Sequence, residues 1–238
     1  MIRDIPTDCE KPSLLSNLRE LGTPLEFLKF PFMTPSLATA PRGDGRKIVL
    51  IPGFTAPEFS MQPLSLYLRY LGYDASTWGL GVNGGNVDPL TRQFGQSIEQ
   101  MADQADAPVT LIGWSLGGVI ARETARLFGD SVREIITMGT PLIGGPKYTS
   151  VGQIYAMREG LDLDAFEHEV HARNSVGLPQ PLTVIYSKSD GIVGWQAARD
   201  VYNPHARNVV VRSTHFAMGT NSTVWKVIAN TLAGQSPV

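Results

Sequence analysis

A chain of 238 residues with 42% hydrophobic and 18% charged residues can bury one large core, which excludes disordered and fibrous classes and makes a single compact domain the expectation. A formal charge of −2 gives no electrostatic ground for nucleic acid or an anionic membrane as partner, and the single cysteine, Cys9, excludes an intrachain disulfide and reads as an ordinary thiol. The opening Met1-Ile2-Arg3-Asp4-Ile5-Pro6 lacks a charged-then-apolar signal pattern, and no apolar run approaches a membrane span. No stable membrane anchor is therefore expected, and a cytoplasmic location is the default, with secretion open for a chain whose start has been trimmed.

Residues 1–46 read as a packing arm without chemistry of its own. A short helix over 13–21 is stopped by Gly22, and Thr23-Pro24 opens a second over 25–30, after which Pro31, Pro35 and Pro41 interrupt the chain. Arg42-Gly43-Asp44 looks like a cell-adhesion triplet, but a polar turn before a strand accounts for it. Residues 47–51 form a continuous apolar run of the buried parallel-strand kind ending at Pro52-Gly53-Phe54. An amphipathic helix over 60–71 closes at Gly72, and 73–78 is the next strand. A Gly- and Asn-rich loop over 79–89 leads to a helix over 90–104. Strands follow from Pro108 and over 132–138, 182–187 and 209–213, with helices over 119–127, 195–201 and 223–232. Six apolar strands alternating with helices predict an α/β fold: a mostly parallel sheet covered on both faces, with its crevice at the carboxyl ends of the strands.

One connection is long. Residues 141–181 separate two strands where a crossover needs only a dozen or somewhat more, and a helix is predicted over 163–172. The segment leaves the carboxyl edge, so it is expected to cap a site there.

The chemistry centres on Gly113-Trp114-Ser115-Leu116-Gly117-Gly118, set between a strand and a helix. Gly-x-Ser-x-Gly in that setting is a nucleophile-elbow pattern: the small residues two before and two after the serine permit a turn tight enough to lift its hydroxyl above the strand end. A hydroxyl needs a base. Of His168, His171, His205 and His215, His205 precedes the last strand and lies at the wrong edge, whereas His215 follows it. His168-Glu169-Val170-His171 spaces its histidines three apart rather than the four of a zinc protease, so a polar helix face is expected there and no metal site. Asp190, after the strand over 182–187, is the acid that would orient the base. Asp162, Asp164 and Asp200 are alternatives that follow no predicted strand directly. The oxyanion donors would be the N–H groups of Leu116 and Phe54.

Gly113 to Gly118, Asp190 in its Asp-Gly-x-Val setting and His215 together resemble the elbow, acid and base of the α/β-hydrolase superfamily, of its lipase and esterase kind. The resemblance covers 47–238 and includes Gly139-Thr140-Pro141, similar to a Gly-Thr-Pro segment of lipase-like members. The chain departs from many lipases in carrying Pro52-Gly53 where they have His-Gly, and the family's first two strands are missing, implying a reduced three-layer sheet. The resemblance implies a cofactor-free carboxylic ester hydrolase working through Ser115, Asp190 and His215 and an acyl-enzyme. Phe54, Trp114, Leu142, Ile192, Trp195, Phe216 and Met218 suit a small lipophilic ester as substrate; oligomeric state stays open. The same triad could serve an acyltransferase, thioesterase or amidase, and a ligand receptor on the same scaffold is the non-enzymatic alternative.

Overall fold

The computed structural model describes residues 6, 8–24 and 37–236. Six strands, β1 (Lys47–Ile51), β2 (Asp74–Thr77), β3 (Val109–Trp114), β4 (Val132–Met138), β5 (Leu182–Ser187) and β6 (Arg207–Val211), form one parallel sheet in the order β2-β1-β3-β4-β5-β6. The order reverses between β1 and β3, and a crevice opens at such a switch point, outside the carboxyl ends.

Alternation along the strands divides the core into two layers. Ile48, Leu50, Ile112, Ile136 and Ile185 face helices α2 (Gln62–Leu71) and α7 (Ser222–Leu232), meeting Leu64, Leu68, Trp225 and Ile228. Val49, Ile51, Leu111 and Ile135 face α3 (Val87–Ala105) and α4 (Leu116–Leu127), meeting Phe94, Ile98, Ile120 and Ala121. Each such aliphatic side chain contributes roughly 1.5–3 kcal/mol when fully buried, so both helix layers are fixed on the sheet. The parallel sheet with helices on both faces is the fold expected from the sequence.

Several boundaries differ from the sequence reading. The first helix, α1 (Leu14–Arg19), continues as a 3-10 turn over Glu20–Gly22; the helix expected over 25–30 lies outside the described residues. Helix α3 starts at Val87, with Pro89 in its first turn, where a missing N–H removes no helical bond. Strand β6 ends at Val211, so His215 follows its end by four residues. The helix expected over 195–201 is absent: Ala197 C=O accepts instead from Leu142 and Ile143 N–H, and Asp200 takes Tyr202 and Asn203 N–H, holding the segment in turns. The long connection carries α6 (Leu163–Ser175), as predicted, and a second helix, α5 (Gly152–Glu159). The Arg42-Gly43-Asp44 triplet is an anchored turn, with Gly43 N–H on Leu71 C=O and Arg42 over the Tyr70 ring, while Arg42 and Asp44 stay exposed. No helix among the described residues is long and apolar enough to cross a membrane.

Candidate active site

Strand register sets the site. Ile51 pairs with Gly113 and Trp114 with Met138, so Gly53 and Gly139 flank Ser115 where β3 turns into α4. Ser115 has φ 55°, ψ −123°, a conformation L residues rarely adopt, and it persists because the surrounding backbone leaves no alternative. A Cβ on Gly117 would lie 2.3 Å from Ile51 C=O, and one on Gly113 would lie 2.4 Å from the Gly117 and Gly118 backbone. Only glycine fits either place. Thr140 Oγ1 donates to Ser115 C=O at 2.9 Å, tying the Gly-Thr-Pro segment to the elbow.

The residues expected as acid and base meet. Asp190 Oδ2 lies 2.7 Å from His215 Nδ1, both side chains almost fully buried, and Asp190 Oδ1 accepts Ile192 and Val193 N–H at 2.8 Å each. The carboxylate is thereby aimed by its own loop. Burial alone would push the His215 imidazole down, but the charge and hydrogen bond of Asp190, joined by the charge of Glu20, outweigh it and hold His215 above its ordinary value. Ser187 Oγ, on the β5 end, donates to Ser213 C=O at 2.6 Å and accepts Ser213 N–H, bracing the loop that carries His215. Ser115 makes no side-chain hydrogen bond to His215 among the described residues, a looseness common in unliganded sites.

The other candidates are engaged elsewhere. His205 Nε2 sits 3.0 Å from Gln180 C=O at the opposite edge. His171 is buried with Nδ1 3.2 Å from Tyr202 Oη, so only His168 of that pair is on the exposed face expected for both. Asp162 caps α6, Asp164 pairs with Lys147, and Asp200 pairs with Arg122 at 2.7 Å. Burial, with Asp8 and Glu167, pushes the Cys9 thiol up to about 11.

Neither Phe54 N–H nor Leu116 N–H donates to a protein acceptor among the described residues, as an oxyanion site requires. Asn83, fully buried, positions the first of these loops: its Nδ2 donates to Pro52 C=O at 2.8 Å, its C=O accepts Thr55 N–H, and its N–H donates to Ala56 C=O. Sequence reasoning passed over Asn83 as one polar residue in a loop, and its signal would have been an Asn two residues before Gly85, itself pressed on the Phe54 ring.

A cavity of about 350 Å³ opens beside Ser115, bounded by Phe54, Leu116, Leu142, Val170 and Ile192. Helices α5 and α6 of the long connection supply Tyr155, Phe166 and Val170, and Tyr155 Oη is fixed on Gly85 C=O at 2.9 Å. Glu123, Glu159, Glu169 and Arg173 also reach this space, so an occupant meets both apolar and charged wall. Of the seven apolar residues expected to suit a substrate, Phe54, Leu142 and Ile192 line it. Trp114 and Met218 are core residues, Trp195 stacks on Tyr186 under Lys188, and Phe216 is 52% exposed with its ring edge-on to Trp114 and His215, so none of these four lines the cavity.

Residues 66–232 match the sequence model of the PGAP1-like alpha/beta domain. A pimeloyl-[acyl-carrier protein] methyl ester esterase of Aliivibrio salmonicida (strain LFI1238) is 33% identical over 112 residues, 45% of this chain and 41% of that protein. The enzyme of the same name from Aliivibrio fischeri (strain MJ11) is 30% identical over 112 residues, 45% of this chain and 42% of that protein. The matched stretch thus spans about two fifths of these relatives. Among solved structures, mature lipase BlEst2 of Bacillus licheniformis has a TM-score of 0.61 at 15% identity, covering 82% of this chain and 94% of that one. Aspergillus fumigatus lipase B has a TM-score of 0.59 at 17% identity, over 82% of this chain and 54% of that one. At such identities the likeness concerns the fold: both share the α/β-hydrolase sheet.

Proposed function

Because the chain belongs to the PGAP1-like alpha/beta domain family and is an esterase- and lipase-like α/β-hydrolase, we propose that it cleaves carboxylic esters through Ser115, His215 and Asp190. The observation that carries the reading is the buried 2.7 Å pair of His215 Nδ1 and Asp190 Oδ2 at the sheet edge from which the strained Ser115 projects. In this mechanism His215 Nε2 takes the Ser115 proton as Oγ attacks the ester carbonyl carbon, and the oxyanion is received by Phe54 and Leu116 N–H. Collapse breaks the ester C–O bond, the alcohol leaves with the proton from His215, and the acyl group stays on Ser115. Water, deprotonated by His215, then attacks the acyl carbon, and the acid departs as Ser115 regains its proton.

Asp190 keeps the imidazole with its proton on Nδ1, leaving Nε2 free to accept, and stabilises the imidazolium that forms. The apolar wall beside Ser115 suits a lipophilic acyl group, with the 141–181 connection as its cap over the domain at 47–238. The esterase names of the curated relatives support the reaction class, and the fold supports it equally for thioester, amide or acyl-acceptor chemistry.

The test is a panel of 4-nitrophenyl esters of graded acyl length, with His215→Ala and His205→Ala compared under the same conditions. Turnover by the wild type, nearly abolished in His215→Ala and retained in His205→Ala, is the expected result. Equal losses in both variants would overturn the choice of base, and a folded wild type that releases no product from any ester would favour a ligand receptor.

A further inference from the structure

The arm before β1 reaches the proposed catalytic machinery. Glu20, half-buried in the 3-10 turn after α1, accepts three backbone N–H groups: its Oε1 takes Gly191 and His215 at 2.8 Å each, and its Oε2 takes Phe216 at 3.2 Å. Gly191 follows the acid and Phe216 follows the base. One carboxylate therefore spans the loop that carries Asp190 and the loop that carries His215, although 171 and 195 residues separate it from its two main partners.

The attachment is built from several side chains. Arg19 Nη1 donates to Lys188 C=O at 3.3 Å, and Thr23 Oγ1 lies 2.8 Å from Thr214 Oγ1, so the turn is tied once more to each loop. The approach is close enough that a Cβ on Gly191 would lie 2.4 Å from Ser16 C=O and 3.0 Å from Glu20 Oε1. Three N–H groups converging on one carboxylate form charge-assisted bonds, roughly twice as strong as neutral ones.

We propose that Glu20 is a positioning residue, which clamps the acid loop to the base loop and places a second negative charge behind His215. The inference rests on the triad reading above. The charged groups facing His215 are Asp190 from the acid loop and Glu20 from the arm, while the elbow contributes the uncharged Trp114. A negative charge there stabilises the imidazolium, so its removal makes His215 easier to deprotonate. Loss of the clamp acts separately: it frees two loops whose mutual placement sets the distance over which the proton is passed.

The two effects have different signatures in the pH dependence of kcat/KM with a 4-nitrophenyl ester. Glu20→Gln removes the charge, and its acid limb is expected to move to lower pH than in the wild type. Glu20→Ala also removes the clamp, and its plateau is expected to fall by about tenfold or more. Thr23→Val loosens the same attachment without touching a charge, so its acid limb should stay in place. An unmoved acid limb in folded Glu20→Gln, or an equal displacement in Thr23→Val, would overturn the proposal, since loosened packing alone would then account for the effect. Should Glu20→Gln fail to fold, Glu20→Asp carries the test by keeping the charge one methylene short. A wild-type acid limb with a lowered plateau supports the clamp, and an unchanged plateau overturns it. Fluorophosphonate labelling of Ser115 and the inactivity of His215→Ala separate the two levels: if both hold while Glu20→Gln behaves as wild type, the triad stands and the role of Glu20 falls.

Discussion

Trp114 donates its indole Nε1 to the carbonyl oxygen of His215 at 3.2 Å, and the two rings lie 5.7 Å apart, so the residue before Ser115 holds the backbone of His215. Its place in the core explains why it is a large side chain without being a substrate contact. Trp114→Phe keeps much of the apolar volume and loses the donor. One such bond is worth on the order of 1 kcal/mol, so kcat/KM is expected to fall about tenfold at most while the protein remains folded. Steady-state kinetics beside a thermal melt would show it, and unchanged kcat/KM would remove Trp114 from the positioning of His215.

The pH dependence has a definite sign. Only neutral imidazole accepts the serine proton, and Asp190 and Glu20 hold His215 above its ordinary value of 6.5, so kcat/KM should climb with pH on an acid limb lying above 6.5. The profile of kcat/KM for the free enzyme measures this. A limb well below 6.5 would mean that burial outweighs the two carboxylates.

The cavity wall formed by α6 should set acyl-length preference. Val170→Phe fills space beside Ser115 without touching the proposed catalytic groups. Each methylene denied an apolar site forfeits about 0.8 kcal/mol, roughly fourfold in kcat/KM, so long acyl esters should lose far more than acetates. A proportionate loss for all chain lengths in a folded variant would place the acyl group elsewhere.

Arg122 and Asp200 form a fully buried pair that joins α4 to the turns after Ala198. Burial alone would raise the Asp200 pKa, but Arg122 and the Asn203 contacts outweigh it and hold the carboxyl below its ordinary value. Its stabilisation is therefore present above the unfolded pKa and lost as pH falls through the folded one. Arg122 Nε and Nη2 already lack partners, so Asp200→Asn leaves a buried charge poorly compensated. A loss of about 3–5 kcal/mol is expected in urea unfolding near neutral pH, shrinking on acidification. A loss below about 1 kcal/mol would show the pair to be dispensable.

How much of this was legible depended on whether the signal was local. Strands β1, β3, β4 and β5 are short apolar runs with turn residues at both ends, and the elbow is a five-residue pattern whose glycines are forced by contacts within the same turn. The pairing of Asp190 with His215 followed from strand order alone, because each loop leaves the same sheet edge. What escaped was long-range. Residues 195–201 have helical spacing, yet their backbone groups bond to Leu142, Ile143 and neighbouring side chains, which outcompete the helix. Glu20 and Asn83 act on backbone groups far away in sequence or across a loop, and no periodicity reports such contacts. The apolar residues near the site looked alike in sequence, and packing alone divided Leu142 and Ile192 from Trp114 and Met218.

Ser115 offers the most direct test of the central claim, because stability and chemistry should pull apart there. Its φ of 55° costs on the order of 1–3 kcal/mol for a serine and little for a glycine. Ser115→Gly should therefore keep or slightly raise the melting temperature, with added chain entropy in the unfolded state offsetting part of the gain. Ester turnover should fall by about 10^4 or more, and a fluorophosphonate probe that labels the wild type at Ser115 should leave the variant unlabelled. Wild-type-like ester cleavage by folded Ser115→Gly would contradict the assignment of the nucleophile and the mechanism built on it.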